Sequence, residues 1–261
     1  MWYKDETEFK ATNGYEIGDL WYPRVTKILE IKSKPALESF FKEVESYASA
    51  EAIKNKSAAE GSLVHATIQN LLTGVAQEIP EEIRPAVETF QEFNESRKIV
   101  FHKEFVERQV WSLRHRYAGT VDALATVDGK FGVLDIKTSS GFYPEYNLQT
   151  AAYVSALQEF PVKRTIGLPR DIETRWILRI DQNRTCSRCR AVLRAKGGRN
   201  KVKSNGATVC QEHEHSWGEL KGNVELREFP YLYRDIKGFV AAKNLWEWEH
   251  DYWLRKTGYL R

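Results

Sequence analysis

The dipeptide Asp128-Gly129 falls between two runs rich in β-branched and apolar residues, 117–127 and 130–137. Asp-Gly suits the central positions of a two-residue turn, so the runs are expected to pair as a β-hairpin. This puts Asp122 on one arm and Asp135-Ile136-Lys137 on the other. Side chains alternate along a strand, so Asp135 and Lys137 share one face while Leu134 and Ile136 take the opposite one. The apolar neighbours of Asp135 point to a central strand rather than an edge. Two carboxylates can hold a hard divalent cation through oxygen. A lysine beside them can stabilise charge on a phosphate or orient an attacking water, which is the layout of metal-dependent phosphodiester chemistry.

Elsewhere, apolar residues at helical spacing predict helices over 34–49 (Leu37, Phe40, Phe41, Val44), 58–72, and 81–98 (Ile83, Val87, Phe90, Phe93), with Gly74 closing the second. A turn and the start of a short helix are expected over 22–29. Strands are expected over 105–111, 174–180 and 223–229, and further helices over 146–160 and 235–255. The last helix carries Trp246, Trp248, Tyr252 and Trp253, read as packing residues in preference to a base-stacking platform. The fold class expected is α/β (α+β), with a mixed central sheet flanked by helices.

A chain of 261 residues, 42% of them apolar, can form one sizeable core with a small appendage. No run of about eighteen apolar residues occurs, so no membrane partner is expected, and residues 1–10 are too charged for a secretory signal. The net charge of +3 says little about partners, but its distribution says more. Between 182 and 211 there are eight basic residues (Arg184, Arg188, Arg190, Arg194, Lys196, Arg199, Lys201 and Lys203) and no acid, a local patch of the kind that meets polyanions. All three cysteines lie in the same stretch. An odd count argues against a disulfide framework and points to an intracellular protein, cytoplasmic or nucleoid-associated, with a viral source also compatible. Cys186-x-x-Cys189 and Cys210-x-x-His213 form two knuckles expected to close a tetrahedral structural zinc site, with His215 competing for the fourth place. The expected organisation is therefore one domain built from 1–181 and 223–261, interrupted by a zinc-ribbon-like basic module at 182–222. From Arg188 to Lys203 the basic side chains of that module are expected to grip a phosphate backbone.

In chain order, Gly61-Ser-Leu-Val-His65, Gly119-Thr-Val-Asp122, Asp135-Ile-Lys137-Thr138 and Gln149-Thr-Ala-Ala-Tyr153 resemble the successive motifs of RecB-like nucleases of the PD-(D/E)XK superfamily. The segment Pro23-Arg-Val-Thr26-Lys-Ile-Leu29 is similar to the entry segment of relatives of the mitochondrial genome maintenance exonuclease, and phage and CRISPR-associated exonucleases share the pattern. The resemblance covers roughly residues 20–160. It implies a restriction-endonuclease-like core in which His65, Asp122, Asp135 and the backbone carbonyl of Ile136 ligate Mg²⁺ or Mn²⁺, with Lys137 catalytic. An imidazole among carboxylates suits Mn²⁺ somewhat better than Mg²⁺. Gln149 and Tyr153 would position the site and contact the nucleic-acid backbone. Glu107, a further acid ahead of the Gly-Thr hairpin, could support a second metal, but a solvated strand residue is the expected reading. The function implied is a DNA exonuclease acting on single strands or free ends in repair, recombination or replication, with a helicase or replication protein as a candidate partner. The alternatives are a nucleic-acid-binding zinc module on a degenerate nuclease core, and a structure-specific endonuclease. A CRISPR-type iron–sulfur cluster would call for four cysteines; the three here are differently arranged.

Overall fold

The computed structural model describes residues 3–204, 210, 211 and 214–260. The chain opens with helix α1 (Glu6–Asn13), the β1–β2 ribbon (Gly14–Ile17, Leu20–Pro23) and a short α2 (Val25–Ile28). Helices α3 (Pro35–Glu43), α4 (Tyr47–Thr73) and α5 (Arg84–Arg97) follow. The sheet is then laid down by β3 (Val100–Phe101), β4 (Arg108–Ser112), β5 (Tyr117–Val121), β6 (Ala123–Val127) and β7 (Lys130–Lys137). Helices α6 (Pro144–Leu157) and α7 (Phe160–Ile166) lead to β8 (Thr174–Thr185), β9 (Val192–Lys196), β10 (Arg199–Lys203) and β11 (Lys221–Glu228), and α8 (Tyr233–Glu249) and α9 (Asp251–Lys256) close the fold.

The fold is mixed α/β with a mixed central sheet flanked by helices. β7 is interior: it pairs antiparallel with β6 and parallel with β8, and β8 pairs antiparallel with β11. The turn between β6 and β7 has φ of +50° at Asp128 and +82° at Gly129, the left-handed pair that an Asp-Gly hairpin selects. The two faces of β7 bury different cores. Phe131 and Val133 pack with Leu157, Phe239 and Trp246 on one side, while Leu134 and Ile136 join Val64, Ile68 and Phe90 on the other. Asp135 and Lys137 follow Phe131 and Val133 on the first face, beneath α6, as strand alternation requires.

Four expected elements differ. The predicted helix over 34–49 ends at Glu43, and Ser46 caps a new one: its hydroxyl accepts from the Ser49 N–H, so α4 starts eleven residues before the expected 58. Residues 47–57 lack apolar periodicity and are mostly exposed, so the Ser46 cap and helix formers such as Ala48, Ala50, Glu51, Ala52 and Lys54 carry this part of α4. The expected strand 117–127 breaks at Asp122, because β5 leaves the main sheet to pair with β4. The long helix expected over 235–255 breaks at His250, leaving Trp246 in the core and Trp248 and Tyr252 largely exposed. Finally, the inserted module starts inside a strand: β8 runs on to Thr185, where it pairs with β9, and β11 begins at Lys221. Among the described residues no helix is long and apolar enough to cross a membrane.

Candidate active site

The break at Asp122 creates the site. Where β5 turns away, the β6–β7 ladder stops at Ala123↔Leu134, so residues 135–137 have no partner on that edge. The side chain of Asp122 fills the gap, with its Oδ2 accepting from the Ile136 N–H at 2.6 Å. In an extended strand the N–H and C=O of one residue point to the same side, so the Ile136 carbonyl faces the same gap. Glu107 sits at the other side of the corner in a turn with φ of +51°, where its N–H donates to the Asp122 carbonyl at 3.0 Å. Helix α4 lies over this corner and aims His65 into it, while its neighbours Val64 and Ile68 are buried in the core.

The imidazole bridges two acids: Nε2 lies 3.1 Å from Asp122 Oδ2 and Nδ1 lies 3.6 Å from Glu107 Oε1. His65, Glu107 and Asp122 each bring a ligand atom within 4.8 Å of the others. Two corrections follow. Glu107 is not a solvated strand residue; the positive-φ turn swings a half-buried carboxylate into the cluster. Asp135, expected among the ligands, lies outside this closest group, and its carboxylate meets other partners. Asp135 Oδ2 ion-pairs with Lys137 Nζ at 2.7 Å, and Oδ1 accepts from Gln149 Nε2 at 3.1 Å.

Electrostatics sort these groups. Burial lowers the His65 pKa, but the Asp122 hydrogen bond and the charges of Asp122 and Glu107 outweigh it, so the imidazole is raised. Burial also raises Asp122, against which His65 and Lys137 hold it below the usual carboxylate range. Glu107 is raised, by burial and then by the Asp122 charge. Lys137 resists the lowering effect of burial because Asp135 and Asp122 face it, and it stays charged. Asp135 is pushed up to about 7 by burial, which the pull of Lys137 only partly offsets. In the folded protein the Asp135 carboxyl therefore keeps its proton to a higher pH than in the unfolded chain, where it titrates near about 4. Stability from this group is full below about 4 and is lost as pH rises through about 7. Asp135→Asn removes that loss while Lys137 stays charged across the window. The variant should thus gain on the wild type as pH rises from 4 to 7, on the order of 1 kcal/mol per unit at the steepest point. Urea unfolding at several pH values reads this difference; a pH-independent gap would contradict it.

Two glycines of the motifs are explained by close approach. A Cβ on Gly119 would lie 2.4 Å from Tyr153 Cε1, and a Cβ on Gly61 would lie 2.6 Å from Thr138 Oγ1. Tyr153 is only 2% exposed and its hydroxyl accepts from Gln149 Nε2 at 3.0 Å. It therefore cannot touch a nucleic-acid backbone; it backs Gln149, which holds Asp135. Gly119→Ala should cost about 1–3 kcal/mol by forcing this rigid ring aside, seen as a lower urea midpoint. An unchanged midpoint would show that the ring yields freely.

The cysteine module brings Cys186, Cys189, Cys210 and His215 within 4.8 Å of one another. His213, the fourth ligand expected, lies outside the described residues; among the described residues His215 takes that place, with Nδ1 3.4 Å from Cys189 Sγ. Three basic residues expected to grip phosphate are engaged within the protein. Arg194 binds both oxygens of Asp181 and the Thr138 carbonyl, Lys196 Nζ donates to the same carbonyl, and Arg199 pairs with Glu43 at 2.8 Å. Arg188 donates to the Glu214 carbonyl, while Lys201 and Lys203 are exposed on β10. Acids outside the basic stretch draw these side chains inward, and the local composition of 182–211 gives no sign of them. Neither protein-family models nor curated proteins give a match to this chain.

Proposed function

We propose that this chain is a divalent-metal-dependent deoxyribonuclease of the PD-(D/E)XK kind, an exonuclease that hydrolyses phosphodiester bonds in single-stranded DNA or at DNA ends. One observation carries the reading: His65 from α4 and Glu107 and Asp122 from the strand corner converge within 4.8 Å, with the buried Asp135–Lys137 pair on the adjoining strand. The donor set fits a divalent cation, since one imidazole and two carboxylates converge on a single point. His65, Glu107 and Asp122 would hold the ion, with Asp135 and the Ile136 carbonyl bordering the same corner. When bound, Mg²⁺ or Mn²⁺ supplies an activated water and neutralises phosphoryl oxygens. The chain's own contribution is positional. Asp122 ties the Ile136 backbone and His65 together, Gln149 fixes Asp135, and Lys137 keeps an ammonium where charge develops on the phosphate.

The preference for ends rests on the likeness of the four motifs to exonucleases. Circular and linear single-stranded DNA of one sequence test it side by side. Digestion of the linear form alone is expected. Cutting of the circle at a similar rate would make the protein an endonuclease.

A further inference from the structure

We propose that Cys186, Cys189, Cys210 and His215 bind one Zn²⁺, and that this ion clamps the β9–β10 hairpin against α4 as one wall of the candidate active site. This goes beyond the hydrolytic reading and does not depend on it. The first pair of ligands lies between β8 and β9 and the second between β10 and β11, so an ion bound by both ties the two ends of the hairpin together. The turn that carries the first pair is already formed. The Arg190 N–H donates to the Cys186 carbonyl at 3.0 Å, the Cys186 N–H donates to the Ala191 carbonyl at 2.8 Å, and Arg190 takes φ of +63°. On the other side the Ser187 N–H donates to the Ser216 carbonyl at 2.9 Å, and the His215 ring stacks on Trp217. Three sulfurs and one imidazole nitrogen match a tetrahedral zinc site. The hairpin has little core of its own: Val192 and Leu193 are half-buried and Val202 is 43% exposed, so a metal is the natural anchor.

The hairpin's contacts give the ion its wider consequence. At the tip, the Gly197 N–H donates to Glu60 Oε2 at 2.9 Å, and the backbones are so close that a Cβ there would lie 2.5 Å from the Ile53 carbonyl oxygen. Lys196 and Arg194 both donate to the Thr138 carbonyl. Glu60 precedes His65 on α4, and Thr138 directly follows Lys137. The hairpin thus braces the two elements that deliver a ligand and the ammonium.

The test uses the full chain with Mg²⁺ and Mn²⁺ left out throughout. Elemental analysis of purified protein should find about one zinc per chain, retained in His213→Ala and lost in Cys189→Ser and His215→Ala. Co²⁺ put in its place should give the strong visible bands of a tetrahedral thiolate site. Because the knuckle variants can misfold, the wild type is also stripped with a chelator and followed by hydrogen exchange. Stripping should speed exchange about tenfold or more in 192–203 and in the 53–61 turns of α4, leaving β7 protected. A zinc-free wild type, loss of zinc in His213→Ala but not in His215→Ala, or unaltered exchange at 53–61 would overturn the proposal. None of these readouts requires DNA cleavage, so they fail or succeed independently of the nuclease reading.

Discussion

Lys137→Ala is expected to lower the single-turnover cleavage rate on DNA by about 10²–10³-fold, the typical cost of removing one preorganised charge partner from a transition state. The lysine has two separable jobs. Its Nζ lies 2.7 Å from Asp135 Oδ2 and opposes the burial that pushes that carboxyl up to about 7. Its ammonium also stands beside the acid corner, where phosphate charge would grow. If only the first job mattered, raising the pH or saturating with Mn²⁺ would ionise Asp135 and restore the rate. Neither is expected to do so, while the affinity for DNA changes little. A variant within about threefold of wild type at saturating metal would remove Lys137 from the chemistry.

Asp122→Asn should be nearly as damaging, for a different reason. Asparagine keeps the shape and can still accept from the Ile136 N–H, so the corner should persist. It loses the charge that faces His65 at 3.1 Å. Metal affinity should fall by more than the roughly 10–100-fold that loss of an outer-shell partner costs. The His65 pKa should fall too, since Asp122 supplies the largest of the effects that raise it. Calorimetric titration with Mn²⁺ and NMR titration of the His65 ring measure the two effects. Unchanged metal affinity together with an unmoved histidine would show that Asp122 is a structural corner and nothing more.

The sequence is most legible where local chemistry and tertiary structure agree. Asp128-Gly129 specifies its turn by itself, and the alternation of β7 separates Asp135 and Lys137 from Leu134 and Ile136 with no help from other strands. It is least legible at the corner. Residues 117–127 read as one strand, and nothing local marks Asp122 as the point where pairing passes from β4 to β7; that break is set by partners distant in the chain. Glu107 is hidden for the same reason. A glutamate at φ of +51° carries no composition signal, and only the bond from its N–H to the Asp122 carbonyl reveals the turn. Arg194, Lys196 and Arg199 mislead in the opposite direction: a run of like charges reads as a surface, yet Asp181 and Glu43 pair with the two arginines and the Thr138 carbonyl accepts from Lys196, all from outside the run. The two motif glycines are visible as residues, but their reason, contact with Tyr153 and Thr138, appears only in three dimensions.

Digestion of end-labelled single-stranded DNA, with Mg²⁺ or Mn²⁺ and with chelator, tests the corner at Asp122 most directly. The wild type should release short labelled products only when the cation is present, and Lys137→Ala should leave the substrate essentially intact under the same conditions. Equal digestion in chelator would contradict a metal-dependent phosphodiesterase built on His65, Glu107 and Asp122, and equal digestion by the lysine variant would remove Lys137 from its chemistry.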